Sequence, residues 1–178
     1  MVQSDIIVRK ATLDDIKYAK EASAVVNQAY RSKGGWTTEE DFVAGERCTE
    51  EQMQSFIRES GNPHTLLFAV EHPHKIVGTV QILTSPEHPL MAEVALFSVS
   101  PYEQSRGIGS QLIRAALTEM KEMGMTHAMI HVLEIRQELL KWYKKLGFEE
   151  TGESVPYVWP EKLKINGLHL LILKKALA

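Results

Sequence analysis

The stretch of sequence that decides the fold of this chain is MAEVALFSVSPYEQSRGIGS, residues 91–110. An apolar, β-rich run at 91–99 ends at a turn, and Gly107 and Gly109 then open a run with helical spacing. Because glycine lacks a Cβ atom, several backbone N–H groups at this turn can converge on one anion, for which a phosphate is the natural candidate. The spacing matches neither the dinucleotide-binding fingerprint nor a P-loop, so simple turn geometry stays open as the alternative.

Outward from this stretch, the hydrophobic pattern alternates between strands and helices. Helices are expected after Thr12 and Thr49, each with a capping-box partner three residues on, and again from Ile108 and Ile135. The strands that the pattern predicts lie at 6–10, 66–71, 76–83, 91–99, 127–133 and 168–173.

The predicted order of elements is β-α-α-β-β-β-α-β-α, followed by two more strands. Strands joined by a short connection favour antiparallel pairing, whereas strand–helix–strand units require parallel crossovers. We therefore predict one α/β domain over residues 1–178, built on a mixed sheet with helices on both faces. A ligand is expected where neighbouring strands diverge.

Composition excludes several classes of function. The 178 residues carry a formal charge of −3, too balanced to indicate a nucleic-acid or membrane partner. Cys48 is the single cysteine, so neither an intramolecular disulfide nor a structural zinc site is expected, and a reducing cytoplasmic location fits. The seven histidines show no metal-ligand spacing, and no export signal or membrane span is evident.

Two segments resemble motifs of the GNAT superfamily of acetyl-CoA-dependent N-acetyltransferases. Residues 91–109 resemble motif A, whose signature Gln/Arg-x-x-Gly-x-Gly/Ala begins here at Gln104. Residues 138–148 resemble motif B, whose helix carries a tyrosine, here Tyr143, four residues before a Gly-Phe pair. The resemblance spans about residues 6–175 and implies the GNAT fold, a mixed and mostly antiparallel sheet with splayed central parallel strands.

The resemblance also implies a site for acetyl-CoA. Backbone N–H groups at the glycine turn would hold its diphosphate, and the exposed edge of the preceding strand would pair with its pantetheine arm. Arg136 stands where many family members have asparagine, although a subset shares the arginine. The predicted cofactor-binding residues are Phe97, Ser98, Val99, Gln104, Arg106, Gly107, Ile108, Gly109, Ser110 and Arg136.

Two residues match the catalytic positions of the family. Glu93 matches the glutamate that removes a proton from the acceptor amine, directly or through water, and a strand-edge glutamate facing solvent is the alternative. Tyr143 matches the tyrosine that protonates the departing thiolate, and packing of its ring in the core is the alternative.

The acceptor is expected to be a primary amine on a small molecule or a peptide. The acidic span 39–51 suits a cationic amine or is a solvated helix face, and Trp36 could form a wall of the acceptor site or pin a loop. Arg47 and Arg136 could instead bind a carboxylate of an amino-acid-like acceptor. A covalent acetyl-enzyme at Cys48 has no identifiable histidine partner.

The alternative function is a non-catalytic domain that binds acyl-CoA as a sensor or interaction module. The oligomeric state is open, with a homodimer among the states considered.

Overall fold

A seven-stranded mixed sheet organises the computed structural model, which describes residues 5–31, 38–103 and 106–178. The strands are β1 (Ile6–Lys10), β2 (Thr65–Glu71), β3 (Lys75–Ser85), β4 (His88–Val99), β5 (His127–Leu133), β6 (Glu149–Pro156) and β7 (His169–Ala176). The α-helices are α1 (Ala19–Arg31), α2 (Glu50–Arg58), α3 (Ile108–Glu122) and α4 (Gln137–Lys145). This order confirms the order that the hydrophobic pattern predicts.

The strands lie in the order β1-β2-β3-β4-β5-β7-β6. Within the described part of the chain, β4 and β5 pair in parallel and every other neighbouring pair is antiparallel. The parallel ladder is short: it runs from Met91 opposite His127 to Val94 opposite Ile130. The mixed, mostly antiparallel sheet is therefore confirmed.

A β-bulge in β4 separates the two parallel strands beyond this ladder. Between the pairs Gln81↔Ala95 and Thr79↔Ser98, β4 contains one residue more than β3, and Leu96 takes a positive φ of 48°. The Thr79 hydroxyl donates to the Leu96 carbonyl at 2.7 Å, and the Ser98 hydroxyl donates to Thr79 at 2.6 Å. This buried network fixes the bulge, and the predicted splay between the central parallel strands is present.

The two faces of the sheet bury different helices. On β2, Leu66, Phe68 and Val70 pack in one core with α1 and α2, whereas Leu67 and Ala69 belong to the other core with α3 and α4. Successive side chains of a strand point to opposite faces, so one strand serves both cores. The prediction of helices on both faces is confirmed.

Both capping boxes are present at helix starts. The Thr49 hydroxyl accepts from the Gln52 N–H at 3.0 Å, and the Gln52 side chain accepts from the Thr49 N–H at 2.9 Å. After Thr12 the chain first forms a 3₁₀ helix, Leu13–Tyr18, before α1, which the hydrophobic pattern does not distinguish from an α-helix. In the described ranges, no helix has the length and apolar character needed to cross a membrane.

Candidate active site

A cleft opens where β4 and β5 diverge, and it encloses a cavity of about 370 Å³. Both strands form its walls, and α1, Glu39 and Arg47 between α1 and α2, α4, the segment after β6 and single residues of β3, β6 and β7 also line it. Charged, histidine and aromatic side chains line the cavity together: Glu39, Arg47, Glu93, His131, Arg136, Tyr30, Phe97, Tyr143, Tyr157 and Trp159. The expectation of a ligand site at diverging strands therefore has a cavity to match it.

Glu93 and His131 form a hydrogen-bonded pair in this cleft. Glu93 lies opposite Met129 in the parallel ladder, and His131 is two residues further along β5, so the two side chains share one face of the sheet. A Glu93 carboxylate oxygen, Oε1, contacts Nδ1 of His131. The side chains are 24% and 26% exposed, respectively, so both still reach the cavity. With Nδ1–H donated to the carboxylate, the lone pair of a neutral imidazole lies on Nε2.

Tyr143 lies on α4 with its ring packed among aromatic side chains. The ring centroids of Trp142, Phe148 and Phe97 lie 5.1, 5.7 and 6.3 Å from that of Tyr143. Burial raises the pKa of the Tyr143 hydroxyl well above its ordinary value, and Tyr30 raises it further. The residue both packs in the core and lines the cleft, and its hydroxyl keeps its proton at neutral pH.

The glycine turn forms the N-terminus of α3. Gly107 is the N-cap in the left-handed region, with φ 77°, and a Cβ atom there would meet nothing within 4 Å. The N–H groups of Ile108, Gly109 and Ser110 belong to the first helical turn, which has no intrahelical acceptors for them. This turn carries no acidic side chain, so nothing on it repels an anion.

The Arg106 side chain forms ion pairs at the protein surface. Its guanidinium is paired with Glu103 and, at 2.7 Å, with Glu71, while Lys75 also binds Glu103 at 2.8 Å. The Arg106 side chain is therefore part of a network of ion pairs at the surface. Gln104, a predicted cofactor-binding residue, lies outside the described residues.

The predicted pantetheine edge lies at the end of β4. Ser98 and Val99 pair with Thr79 and Gly78 of β3, and the pairing with β5 on the other side ends at Val94. Phe97 lines the cavity, whereas Ser98 and Val99 do not, and the Ser98 hydroxyl is bonded to Thr79. What this edge offers to a ligand is its backbone.

The acidic span 39–51 divides between two environments. Glu39 lines the cavity and is ion-paired with Arg31 at 3.1 Å, whereas Asp41, Glu46, Glu50 and Glu51 are exposed. Arg47 and Arg136 both line the cavity, as an anion-binding pair would require, and Trp36 lies outside the described residues.

Cys48 is fully buried and does not itself line the cavity, although its neighbour Arg47 does. Burial raises the pKa of its thiol to about 11, so the nucleophilic thiolate is scarce at neutral pH. Among the described residues, no three His, Cys, Asp or Glu side chains are grouped so that they could hold a metal ion.

Sequence reasoning missed His131, Tyr30 and Trp159. The alternation along β5 puts His127, Met129 and His131 on one face of the strand, and this pattern can be read from the sequence. Recognising that His131 meets Glu93 also requires the register of β4 against β5, which no motif in the chain specifies.

Comparisons with known proteins agree with this geometry. The sequence profile of the Acetyltransferase (GNAT) family matches residues 34–148, well over half of the chain. N-acetyltransferase 8B of Homo sapiens is 25% identical over 146 residues, which cover 80% of this chain and 62% of that protein. Mycothiol acetyltransferase of Streptosporangium roseum is 33% identical over 70 residues, 39% of this chain and 21% of that protein. The chain spans 50% to 62% of the length of the first four curated relatives.

Solved structures share the fold over nearly the whole chain. The structure of yncA from Salmonella typhimurium, solved with its cofactor acetyl-CoA, superposes with a TM-score of 0.73 at 16% identity, covering 98% of this chain and 95% of that one. An N-acetyltransferase from Staphylococcus aureus Mu50 gives 0.73 at 18% identity, with 98% and 100% covered.

Proposed function

Because this chain belongs to the GNAT acetyltransferase family, we propose that it is an acetyl-CoA-dependent N-acetyltransferase that transfers the acetyl group to a primary amine by direct attack. The observation that carries the proposal is that the Glu93–His131 pair and Tyr143 line one cavity between β4 and β5. This arrangement puts a group that takes up a proton and a group that supplies one beside the same space.

The residues present fit acetyl-CoA. The first-turn N–H groups of Ile108, Gly109 and Ser110, with the open Gly107 before them, suit a diphosphate, and the edge of β4 after Val94 suits an extended amide-bearing arm. When bound, acetyl-CoA supplies a thioester carbonyl that the amine attacks and a thiolate that leaves. The cofactor-binding roles of Gln104, Arg106 and Arg136 belong to the same proposal.

The first proton is taken up by the Glu93–His131 pair. An aliphatic amine with a pKa of about 10 is mostly protonated at neutral pH, and it is not nucleophilic until it loses a proton. Nε2 of His131 accepts that proton, and the Glu93 carboxylate on Nδ1 orients the ring and stabilises the imidazolium that forms. Glu93 thus acts through the imidazole as a positioning residue, in place of the role as base, directly or through water, that the family resemblance implies.

The second proton is supplied by Tyr143. Its raised pKa, caused chiefly by burial, keeps the Oη–H bond intact at neutral pH. The neutral phenol, which lines the same cavity, protonates the leaving thiolate. The phenolate that results takes up the proton that the new amide nitrogen loses, so that one proton in all passes to Nε2 of His131.

The test is thiol release from acetyl-CoA with a panel of polyamines, amino acids, aminoglycosides and peptide amines, with acetyl-CoA affinity measured by calorimetry. We expect binding and thiol release that depends on one class of amine, with a matching acetylated product by mass spectrometry. Binding with no thiol release across the panel would favour the sensor function over catalysis. No binding of acetyl-CoA would overturn both.

A further inference from the structure

We propose that the acceptor amine also carries an anionic group, a carboxylate or a phosphate, and that Arg47 binds this group inside the cleft. The inference rests on the proposed function and names the substrate class of that same cavity. Three observations carry it: how the backbone of Arg47 is fixed, what flanks its guanidinium, and which charges around it are already paired.

The backbone at Arg47 is fastened to α1 by one side chain. Asn27 Oδ1 accepts from the N–H groups of Arg47 at 2.8 Å and Cys48 at 3.0 Å, and Asn27 Nδ2 donates to the Cys48 carbonyl at 2.7 Å. The buried Cys48 side chain anchors the next position in the core of α1 and α2. Arg47 therefore reaches into the cleft from a defined point.

Two aromatic rings of the cleft flank the guanidinium. Its carbon lies 5.5 Å from the Tyr30 centroid and 5.2 Å from the Trp159 centroid. Burial raises the pKa of Tyr30 to about 12, so this ring stays neutral and its hydroxyl remains a donor. Contacts with ring faces attract the positive charge and use none of the N–H donors of the guanidinium, which remain for an oxyanion.

The carboxylates that line the cavity are paired with side chains other than Arg47. Glu39 is paired with Arg31, and Glu93 is bonded to His131. Within residues 5–31, 38–103 and 106–178, no carboxylate lies within 4.0 Å of the Arg47 guanidinium nitrogens. A partly buried cation in contact with rings gains most from an anion that arrives with the ligand.

The cavity joins this cation to the proposed base. Arg47 and the Glu93–His131 pair line the same space of about 370 Å³, near the lower end of volumes for small-molecule sites. A small molecule that bears both an amine and an anionic group can therefore engage both, and Arg136 adds a second positive side chain to the lining.

The experiment compares kcat/KM for matched acceptors that differ in the anionic group. In one series, each proteinogenic amino acid is paired with its carboxamide, which tests a carboxylate. In the other series, O-phosphoethanolamine is paired with ethanolamine, which tests a phosphate. A charged hydrogen-bonded pair corresponds to about a 10- to 150-fold preference. We expect the wild type to prefer the anionic acceptor over its neutral partner by such a factor in one of the two series.

The variants locate the preference at Arg47. R47Q should abolish it by raising KM for the anionic partner alone, and R47K should retain part of it because the charge stays while the planar fork is lost. K162Q is the matched control: Lys162 Nζ also lies 5.2 Å from the Trp159 centroid, but Lys162 does not line the cavity. This control removes one positive charge at the same ring and should keep the preference.

Each outcome decides between the two proposals. Equal use of anionic and neutral partners by the wild type, or an equal loss on both partners in R47Q, overturns the inference while the enzyme assignment stands. If none of the compounds supports thiol release, the proposed function is overturned, and the inference falls with it.

Discussion

Removing the Glu93–His131 pair one member at a time is the sharpest test of the proposed proton transfer. Glu93→Gln keeps the size of the side chain and removes the charge that stabilises an imidazolium at His131. A hydrogen bond to a charged group contributes about 1.5–3 kcal/mol, which corresponds to a loss in kcat of about 10- to 150-fold. His131→Gln removes the accepting nitrogen, and the loss should reach about 10²–10⁴-fold.

The double variant distinguishes a working pair from two independent groups. If Glu93 acts through His131, the double variant should be no slower than His131→Gln, whereas independent contributions would multiply. The losses should be largest at low pH, where fewer acceptor amines are already neutral.

The assay is the initial rate of thiol release from about pH 6 to pH 9 with the preferred acceptor. His127→Gln is the matched control, because His127 lies on the same face of the same strand, is bonded to Thr126 at 2.9 Å and does not line the cavity. Wild-type rates for His131→Gln, or strictly multiplicative losses in the double variant, would refute the relay.

Three further predictions concern the acid, the glycine turn and stability. Tyr143→Phe should lower kcat by about 10²–10⁴-fold with little change in melting temperature, because the ring stays and only the hydroxyl is lost; an unchanged kcat would remove Tyr143 from the mechanism. Gly107→Ala should weaken acetyl-CoA binding in calorimetry. Gly124→Ala is the matched control, because Gly124 lies at the other end of α3 with a similar φ of 84° and equally open surroundings. It should lower the stability by a comparable amount and leave the affinity for acetyl-CoA unchanged. Equal affinities in the two variants would contradict a diphosphate site at the turn. Burial of Asp15 opposes ionisation, but hydrogen bonding, chiefly from Arg9, prevails and lowers the pKa of its carboxyl. Asp15→Asn should therefore reduce the free energy of unfolding by about 1–2 kcal/mol at pH 7, and the deficit should fade in urea titrations as the pH drops below about 4. A deficit that does not change with pH would show that the negative charge of Asp15 contributes nothing to stability.

Local signals in the sequence were sufficient for most of the architecture. Capping boxes at Thr12 and Thr49 and glycines after α3 and α4 mark helix ends through backbone chemistry that acts within a few residues. The boundaries that shifted are those where local preference is weak. The 3₁₀ helix after Thr12 is one such place, and the last strand, which runs to Ala176 rather than to 173, is another.

Most of the candidate site was predictable where a motif names the residue, and Arg47 was foreseen from its charge as one of the alternatives for binding the acceptor. The places of Glu93, Tyr143 and the Gly107 turn follow from motif positions on β4, α4 and α3. The positions of His131 and Arg47 in the site depend on long-range geometry. His131 meets Glu93 because of the register between β4 and β5, which α3 connects. Arg47 is held by a hydrogen bond to Asn27, 20 residues earlier in the chain. Such pairings are set by tertiary packing, and the spacing of residues along the chain does not specify them.

A crystal structure of the protein with coenzyme A tests the central claim most directly. The account predicts diphosphate oxygens at hydrogen-bond distance, about 2.7–3.2 Å, from the N–H groups at Ile108, Gly109 and Ser110. It also predicts the thiol sulfur inside the β4–β5 cavity, between His131 and Tyr143. Coenzyme A bound away from the α3 N-terminus, or with its sulfur outside that cavity, would contradict it.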